Sequence, residues 1–501
     1  MDTSDTHPER GFRPADRFAA ERTDYRILPF RFMHWNEVET ILVNDVGEYV
    51  FLPRSEFRSF VSRALPLPPD AYRALKSKHF LTDFHSSVPV DLLATKYRTK
   101  KSFLEGFVKL HLFVVTLRCE HTCKYCQVSR VTENRTRFDM SRETAERAVD
   151  LMFQCPAPYL KVEFQGGESL LNFERIQQIV ELVEHRNARD GRNIEFVIAT
   201  NLVPLTDAML TFMQEHSIFL STSLDGPPAI HNANRPRPGR DSYEIAVRNI
   251  ERVREALGPD RIAAIMTTTA RSLEQPEGIV DEYVRQGFDS IFLRPMSPYG
   301  FAVRTGKAGE YDARDFVDFY KRALRHIVEL NRDGTRFLEV YAQILLRRML
   351  TPFATGYVDL QSPTGAGTGA VVYNYDGDVY ASDEARMLAE MGDRSFRLGN
   401  VYRNSYQEIF GGAVVRGLLE ASCVETLPGC ADCAFAPYCG ADPVFHWATQ
   451  GDPIGHRPTS AFCTKNMALI RHLFELFRSG DEFIERLFIS WATEQDRRVP
   501  A

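Results

Sequence analysis

Cys119, Cys123 and Cys126 stand in a C-x3-C-x2-C spacing directly after the apolar run Leu112–Leu117. Three thiolates on one tight loop can hold three irons of a 4Fe–4S cube and leave the fourth iron open, an arrangement suited to catalysis rather than storage. Zinc is the competing occupant, but structural zinc prefers four ligands supplied as C-x2-C pairs. A second set, Cys430, Cys433, Cys439 and the more distant Cys463, offers four thiolates. Four saturate one cluster, or equally a tetrahedral zinc. Cys423 is left over and reads as an alternative ligand, a remnant or a packed thiol, and Cys155 reads as core.

Other residues with chemical capacity follow apolar runs. In Gln165-Gly166-Gly167-Glu168 the glycines let backbone approach a ligand closely, and the carboxylate can hold an ammonium. Thr200-Asn201 and Ser223-Leu224-Asp225-Gly226 sit in equivalent places, where turn and cap chemistry is the plain alternative. Arg235 suits a carboxylate partner or a solvated loop, and Arg294 is a second cation of the same kind. No carboxylate stands out as a proton acceptor, so the catalytic acid–base residue is unassigned at this level.

These residues need a frame. Between residues 100 and 300, six apolar stretches alternate with amphipathic helical patterns: Leu112–Leu117, Leu160–Phe164, Ile194–Ala199, Ile218–Ser223, Ile262–Thr267 and Ile291–Arg294. That alternation predicts a parallel α/β sheet of six βα units, a partial barrel, with chemistry on the loops after the strands. Upstream, Glu39–Val43 and Glu48–Leu52 flank Asn44-Asp45-Val46-Gly47 as a hairpin. Helices are expected over Ser55–Arg63, opened by a serine cap, and over Pro69–Lys78. Downstream, helices at 316–330 and 338–349 lead to a second hairpin turned at Asp376-Gly377. The expected division is a disordered tail over 1–24, a small domain over 25–95, the barrel over 100–300, a helical connector over 301–365, a cysteine-bearing domain over 366–480 and a C-terminal tail over 481–501.

The 501 residues allow about two to four domains. A net charge of −6 gives no basic field for nucleic acid. No apolar stretch approaches the roughly 20 residues of a membrane span, and nine clustered cysteines suit a reducing compartment, so a cytoplasmic protein with no membrane or nucleic-acid partner is expected.

The C-x3-C-x-Φ-C pattern, with Tyr125 before the last cysteine, resembles the radical S-adenosylmethionine (SAM) enzymes. The resemblance implies SAM as cofactor, with Tyr125 near its adenine and Gly166, Gly167 and Glu168 binding its methionyl amine. It also implies that Thr200 and Asn201 border the SAM site. The run Ser223 to Arg235 resembles the SPASM branch, in which an S-x-D-G loop with a following histidine and arginine, here His231 and Arg235, lies over the SAM ribose and carboxylate. In that branch Cys430, Cys433, Cys439 and Cys463 hold an outer auxiliary 4Fe–4S cluster. This chain departs from the pattern at Tyr380-Ala381-Ser382-Asp383 and Gly440-Ala441-Asp442-Pro443, where the branch usually has cysteines, so two clusters are expected instead of three.

The N-terminal hairpin and helices resemble PqqD-like peptide-recognition domains, and a domain that merely caps the barrel is the alternative. Together with Phe292-Leu293-Arg294-Pro295 and Cys439-Gly440-Ala441-Asp442-Pro443, the chain resembles most the radical SAM maturases of the His-Xaa-Ser peptide-modification system. That implies an enzyme that cleaves SAM reductively and cross-links or oxidises a ribosomally made precursor peptide. Its implied partners are the peptide leader, an electron donor such as flavodoxin or ferredoxin, and a second maturase. The alternatives are oxidation of a sulfatase precursor, a small-molecule substrate, and a non-catalytic peptide-binding scaffold.

Overall fold

The computed structural model describes residues 25–493 except 65, 83–86, 129 and 132–133, so the expected tail at 1–24 and residues 494–501 lie outside the described residues. The chain divides into two compact units, 1–97 and 98–501.

In the first unit the expected hairpin is present as Glu39–Asn44 and Tyr49–Pro53, paired antiparallel with Leu42 opposite Val50. Its turn is held by the Asn44 side chain, whose Oδ1 accepts the Val46 and Glu48 amides at 3.2 and 3.0 Å, while Gly47 takes φ +85°. Phe30–His34 adds a third strand that the sequence reading did not include, at one end of the sheet. The helix expected at Ser55 instead begins at Arg54, after Pro53, and has no side-chain cap. Pro69 does open the second helix, Pro69–Ser77. Leu42, Leu52, Phe60, Leu75 and Phe80 bury a common core beneath them.

The second unit is built on a nine-stranded sheet. Six parallel strands run in sequence order across it: Leu110–Thr116, Tyr159–Gly166, Asn193–Ala199, Phe219–Ser223, Ile262–Thr267 and Leu293–Arg294. Residues 112–116 are buried on both faces, as a strand covered by helices on one side and barrel interior on the other requires. Hydroxyl caps open helices between the strands. Ser141 Oγ accepts the Thr144 amide at 3.0 Å, and Thr206 Oγ1 that of Met209 at 3.3 Å. A short helix, Pro228–Asn234, follows the fourth strand in addition to those expected.

The C-terminal hairpin does not form a separate layer. Ala370–Tyr373 pairs in parallel with Leu110–Phe113, the first barrel strand, and Asp378–Tyr380 and Arg397–Asn400 extend the same sheet. The connector helix Ala313–Arg332 starts at a reciprocal Asp312/Asp315 cap and buries Phe316, Tyr320, Ala323 and Ile327. Glu339 then joins this connector to the barrel: its Oε1 accepts the Leu293 amide at 3.2 Å and its Oε2 that of Ala342 at 2.5 Å. Burial raises its carboxyl to about 7, against hydrogen bonds that pull it down. The expected tail after residue 481 is corrected over 482–493. Glu482–Thr493 is a helix that buries Ile484, Phe488, Trp491 and Ala492 and packs on Val340–Leu350.

Candidate functional site

The loop carrying Cys119, Cys123 and Cys126 leaves the first barrel strand through Arg118. That arginine is fixed bidentately to Asp139 at 2.7 and 2.8 Å, and it also donates to the Leu171 carbonyl at 2.6 Å. The second strand passes so close that a Cβ on Gly166 would fall 2.3 Å from the Thr116 carbonyl oxygen, and one on Gly167 2.3 Å from that of Arg118. The amides of Gly167 and Glu168 donate to those two carbonyls at 2.8 and 2.7 Å. The close approach expected of these glycines is therefore to the cysteine loop's own backbone, which no larger residue would permit.

Glu168, 1% exposed, gathers the next motif. Its Oε1 accepts from the Leu170 amide at 3.0 Å and Thr200 Oγ1 at 2.6 Å, and its Oε2 accepts from the Asn201 amide at 2.7 Å. Burial, then the nearby Glu120, pushes its carboxyl up to about 8. Asn201 Nδ2 reaches back to the cysteine loop, donating to Glu120 Oε1 at 2.6 Å and lying 3.9 Å from Cys119 Sγ. Cys119, Glu168, Thr200 and Asn201, at the ends of three successive strands, thus share one network.

Asp225 organises the other half. Fully buried after the fourth strand, it accepts from Tyr125 Oη at 2.6 Å and from Arg235 Nε and Nη2 at 3.1 and 3.3 Å. The Arg235 guanidinium lies 5.5 Å from the Tyr125 ring centroid. Burial opposes ionisation of Asp225, but Arg235 and His231 outweigh it and hold its carboxyl below the usual range. Ser223, half-buried, ends the strand two residues earlier. The arginine expected to meet a ligand carboxylate therefore already pairs inside the chain.

His231 Nδ1 accepts the Asp225 amide at 3.3 Å, leaving Nε2 to face Ser242 Oγ at 3.1 Å. The same hydroxyl lies 2.7 Å from His121 Nε2. Glu120, His121 and Ser242 were missed by the sequence reading. The first two lie between cysteines and were visible there, whereas nothing in the sequence singles out Ser242.

Without metal, Cys119 and Cys123 resist ionisation. Burial dominates in both, Cys123 is pushed to about 12, and Cys123 adds to the rise at Cys119 as Cys126 does at Cys123. Thiolates that repel one another in a buried loop are what a multivalent metal group relieves. Ligand atoms of Cys119, Glu120 and His121 lie within 4.8 Å of one another. Of the three cysteines only Cys119 belongs to that group, and it is the buried, mutually repelling thiols that fit a cluster.

The distal cysteines fit one too. Burial, then Cys433, Cys463 and Cys430, lifts the Cys439 thiol to about 12, and burial with Cys433 and Cys430 raises Cys463. Arg457 Nε donates to Cys430 Sγ at 3.1 Å. Cys423 has other neighbours, with its thiol 3.3 Å from Glu425 Oε2. Cys155 is 1% exposed and donates to the Val108 carbonyl, a core position. Where the SPASM pattern calls for further cysteines, Ser382 and Asp442 cap helices by accepting the Ala385 and Phe445 amides at 3.2 and 2.9 Å.

Comparison with known proteins agrees with this geometry. The radical SAM superfamily model matches residues 113–282. An uncharacterized protein of Methanocaldococcus jannaschii is 28% identical over 190 residues, 38% of this chain and 63% of that protein. The cysteine-type anaerobic sulfatase-maturating enzyme of Clostridium perfringens is 24% identical over 303 residues, 58% of this chain and 77% of the enzyme. The radical SAM cyclopropyl synthase TigE of Paramaledivibacter caminithermalis is 24% identical over 161 residues, 30% of this chain and 33% of that one. The chain therefore matches less than two thirds of the length of the first and third of these relatives. Among solved structures, anSMEcpe with bound AdoMet and Kp18Cys peptide superimposes with a TM-score of 0.62 at 18% identity, over 76% of this chain and 99% of that one. SuiB of Streptococcus suis bound to precursor peptide SuiA gives 0.52 at 14%, over 88% and 100%, so both share the fold. Among the described residues no helix is long and apolar enough to cross a membrane. The cysteine loop and the strand-end networks all lie within residues 113–282, so this part of the chain is a radical SAM domain, and its family and neighbours support SAM and a 4Fe–4S cluster as cofactors.

Proposed function

We propose that the chain is a radical SAM peptide maturase of the His-Xaa-Ser type, acting in the cytoplasm on a ribosomally made precursor peptide and cross-linking or oxidising its residues. The observation that carries the reading is the pair of strand-end networks around the cysteine loop, one through Glu168 and one through Asp225. Cys119, Cys123 and Cys126 would hold a 4Fe–4S cluster, which would supply the one electron, drawn from an external donor, needed for reductive cleavage of SAM. In this reading Glu168 takes the methionyl ammonium, with Gly166 and Gly167 fixing its approach. Thr200 and Asn201 hold the Glu168 carboxylate in place. Tyr125 packs on the adenine, and Ser223, Asp225 and Arg235 border the ribose and carboxylate. Cys430, Cys433, Cys439 and Cys463 hold the auxiliary cluster.

The peptide assignment draws support from the first unit, whose terminal strand Phe30–His34 gives an extended leader an edge to extend by backbone hydrogen bonds. Flavodoxin or ferredoxin and a second maturase complete the proposed partners. Mass spectrometry of a precursor peptide from a neighbouring gene, coexpressed with the chain, tests this. A loss of hydrogens in an internal residue supports the reading, and an unmodified peptide counts against it. Oxidation of a cysteine or serine in a sulfatase precursor is the second reading, favoured by the likeness to the sulfatase-maturating enzyme. A sulfatase-derived peptide offered to the same preparation separates the two.

A further inference from the structure

Where the sixth strand, the connector and the cysteine-bearing region meet, the second unit encloses a cavity of about 290 Å³. Four carboxylates line it: Asp312, engaged in capping Ala313–Arg332, and three from other segments, Asp359, Glu384 in the first turn of Asp383–Glu390, and Asp442 before Pro443–Gln450. Two cations face it as well, Arg294 and Lys465. Among the described residues none of the three carboxylates forms an ion pair. Lys465 Nζ instead lies against aromatic rings, 4.9 Å from the Tyr341 centroid and 5.5 Å from that of Phe462, and Arg294 lies over Phe292 at 5.5 Å.

Acidic side chains in the lining thus outnumber basic ones four to two. Burial first, and repulsion by neighbouring carboxylates second, push Glu384 to about 8 and Asp442 to about 7, so near neutrality these carboxyls hold protons that an incoming cation would displace. An independent feature points to the same place. Tyr299 lines the cavity at 1% exposure, and its hydroxyl, fully buried, has no hydrogen-bond partner among the described residues. A buried hydroxyl in that state is costly unless a ligand completes it.

Resting on the peptide-maturase reading, we propose that this cavity is the subsite for a basic side chain of the substrate peptide, a lysine or an arginine. One such group adds a third cation to the two already facing the carboxylates. Its ammonium or guanidinium is held by Asp359, Glu384 and Asp442 and donates to the Tyr299 hydroxyl, while its alkyl stem lies on the aromatic wall. A neutral residue would leave all three carboxylates and the hydroxyl as they are.

The test uses the full-length, anaerobically reconstituted chain with SAM bound. Two probes, acetyl-Gly-Gly-Lys-Gly-Gly-amide and its norleucine isostere, are titrated calorimetrically. The lysyl peptide should bind at least tenfold more tightly, and Glu384→Gln and Tyr299→Phe should each erode that preference. Equal affinity for the two probes, binding of neither, or an unchanged preference in Glu384→Gln overturns the subsite. Should a variant fail to load iron, the comparison of probes on the native chain decides alone. Release of 5′-deoxyadenosine from the same samples reports separately on the maturase reading: intact cleavage with equal probe affinities sinks only the subsite.

Discussion

The Tyr125 hydroxyl donates to Asp225 at 2.6 Å, joining the residue before the third cysteine to the loop after the fourth barrel strand, 100 positions away. The same carboxylate holds Arg235, so Asp225 braces the cysteine loop by a hydrogen bond and its own segment by a buried ion pair.

Asp225→Ala removes that brace and leaves the Arg235 guanidinium buried without its partner. Breaking such a pair costs about 3–5 kcal/mol. Denaturant unfolding should show a loss of that order, with a weaker hold on the N-terminal cluster. A midpoint within experimental error of the native one would mean that Arg235 finds another partner.

Iron content tests the cysteine assignment. The reconstituted chain should carry about eight irons, and replacement of Cys119, Cys123 and Cys126 by alanine should leave about four. Cys423→Ala should change nothing, because its thiol bonds Glu425 instead of facing the other four. Bound zinc in place of the second set of irons would contradict the auxiliary cluster.

Glu168→Gln keeps the shape and removes the charge proposed to hold the methionyl ammonium. Because a charge-assisted hydrogen bond is roughly twice as strong as a neutral one, SAM affinity should fall about tenfold with iron content intact. Titration of SAM decides it, and an unchanged affinity would take Glu168 out of the binding role.

Glu339 predicts a pH dependence of stability. Its carboxyl is raised from 4.5 to about 7, burial being the main cause. The folded chain therefore keeps a proton there that the unfolded chain has released, and this group's contribution to stability falls as pH rises from 4.5 to 7 and is level above that. Unfolding measured across that window in the native chain and in Glu339→Gln should show a shallower fall in the variant. Parallel profiles would argue against a raised carboxyl.

Removing residues 26–82 should leave both clusters and slow, uncoupled SAM cleavage, and should strongly reduce modification of a leader-bearing peptide. Equal modification by the truncated chain, with no peptide bound by the isolated segment, would make this unit a cap.

The sequence shows the barrel best at its first strand, where residues 112–116 are buried on both faces within an apolar run, whereas later strands such as Phe219–Ser223 alternate in burial. Its helices show through their amphipathic patterns, and the structure adds hydroxyl caps at Ser141 and Thr206. Among the elements that stayed hidden, three show separate reasons. Phe30–His34 is short, and its Phe32 is 48% exposed, so no buried alternation marks it. Val88–Lys100 has almost no apolar face to display a helical period. Glu482–Thr493 follows a polar Ser479-Gly480-Asp481 break that resembles the end of a domain. At the site, side-chain types and spacing found the cysteines and Glu168. Partners such as Ser242, supplied by a helix remote in sequence, become visible only when the strands are laid side by side.

The parallel pairing of Ala370–Tyr373 with Leu110–Phe113 also sets a timetable. A ribosome makes the first barrel strand about 260 residues before the strand that covers its edge. Contacts so distant along the chain form slowly, and an uncovered strand edge invites wrong partners in the meantime. The nascent cysteine loop therefore waits, with its thiols reduced and its supporting strand half-paired, until the hairpin at 370–380 arrives. Iron loading belongs after that moment, and a chain stopped short of the hairpin should aggregate instead of acquiring metal.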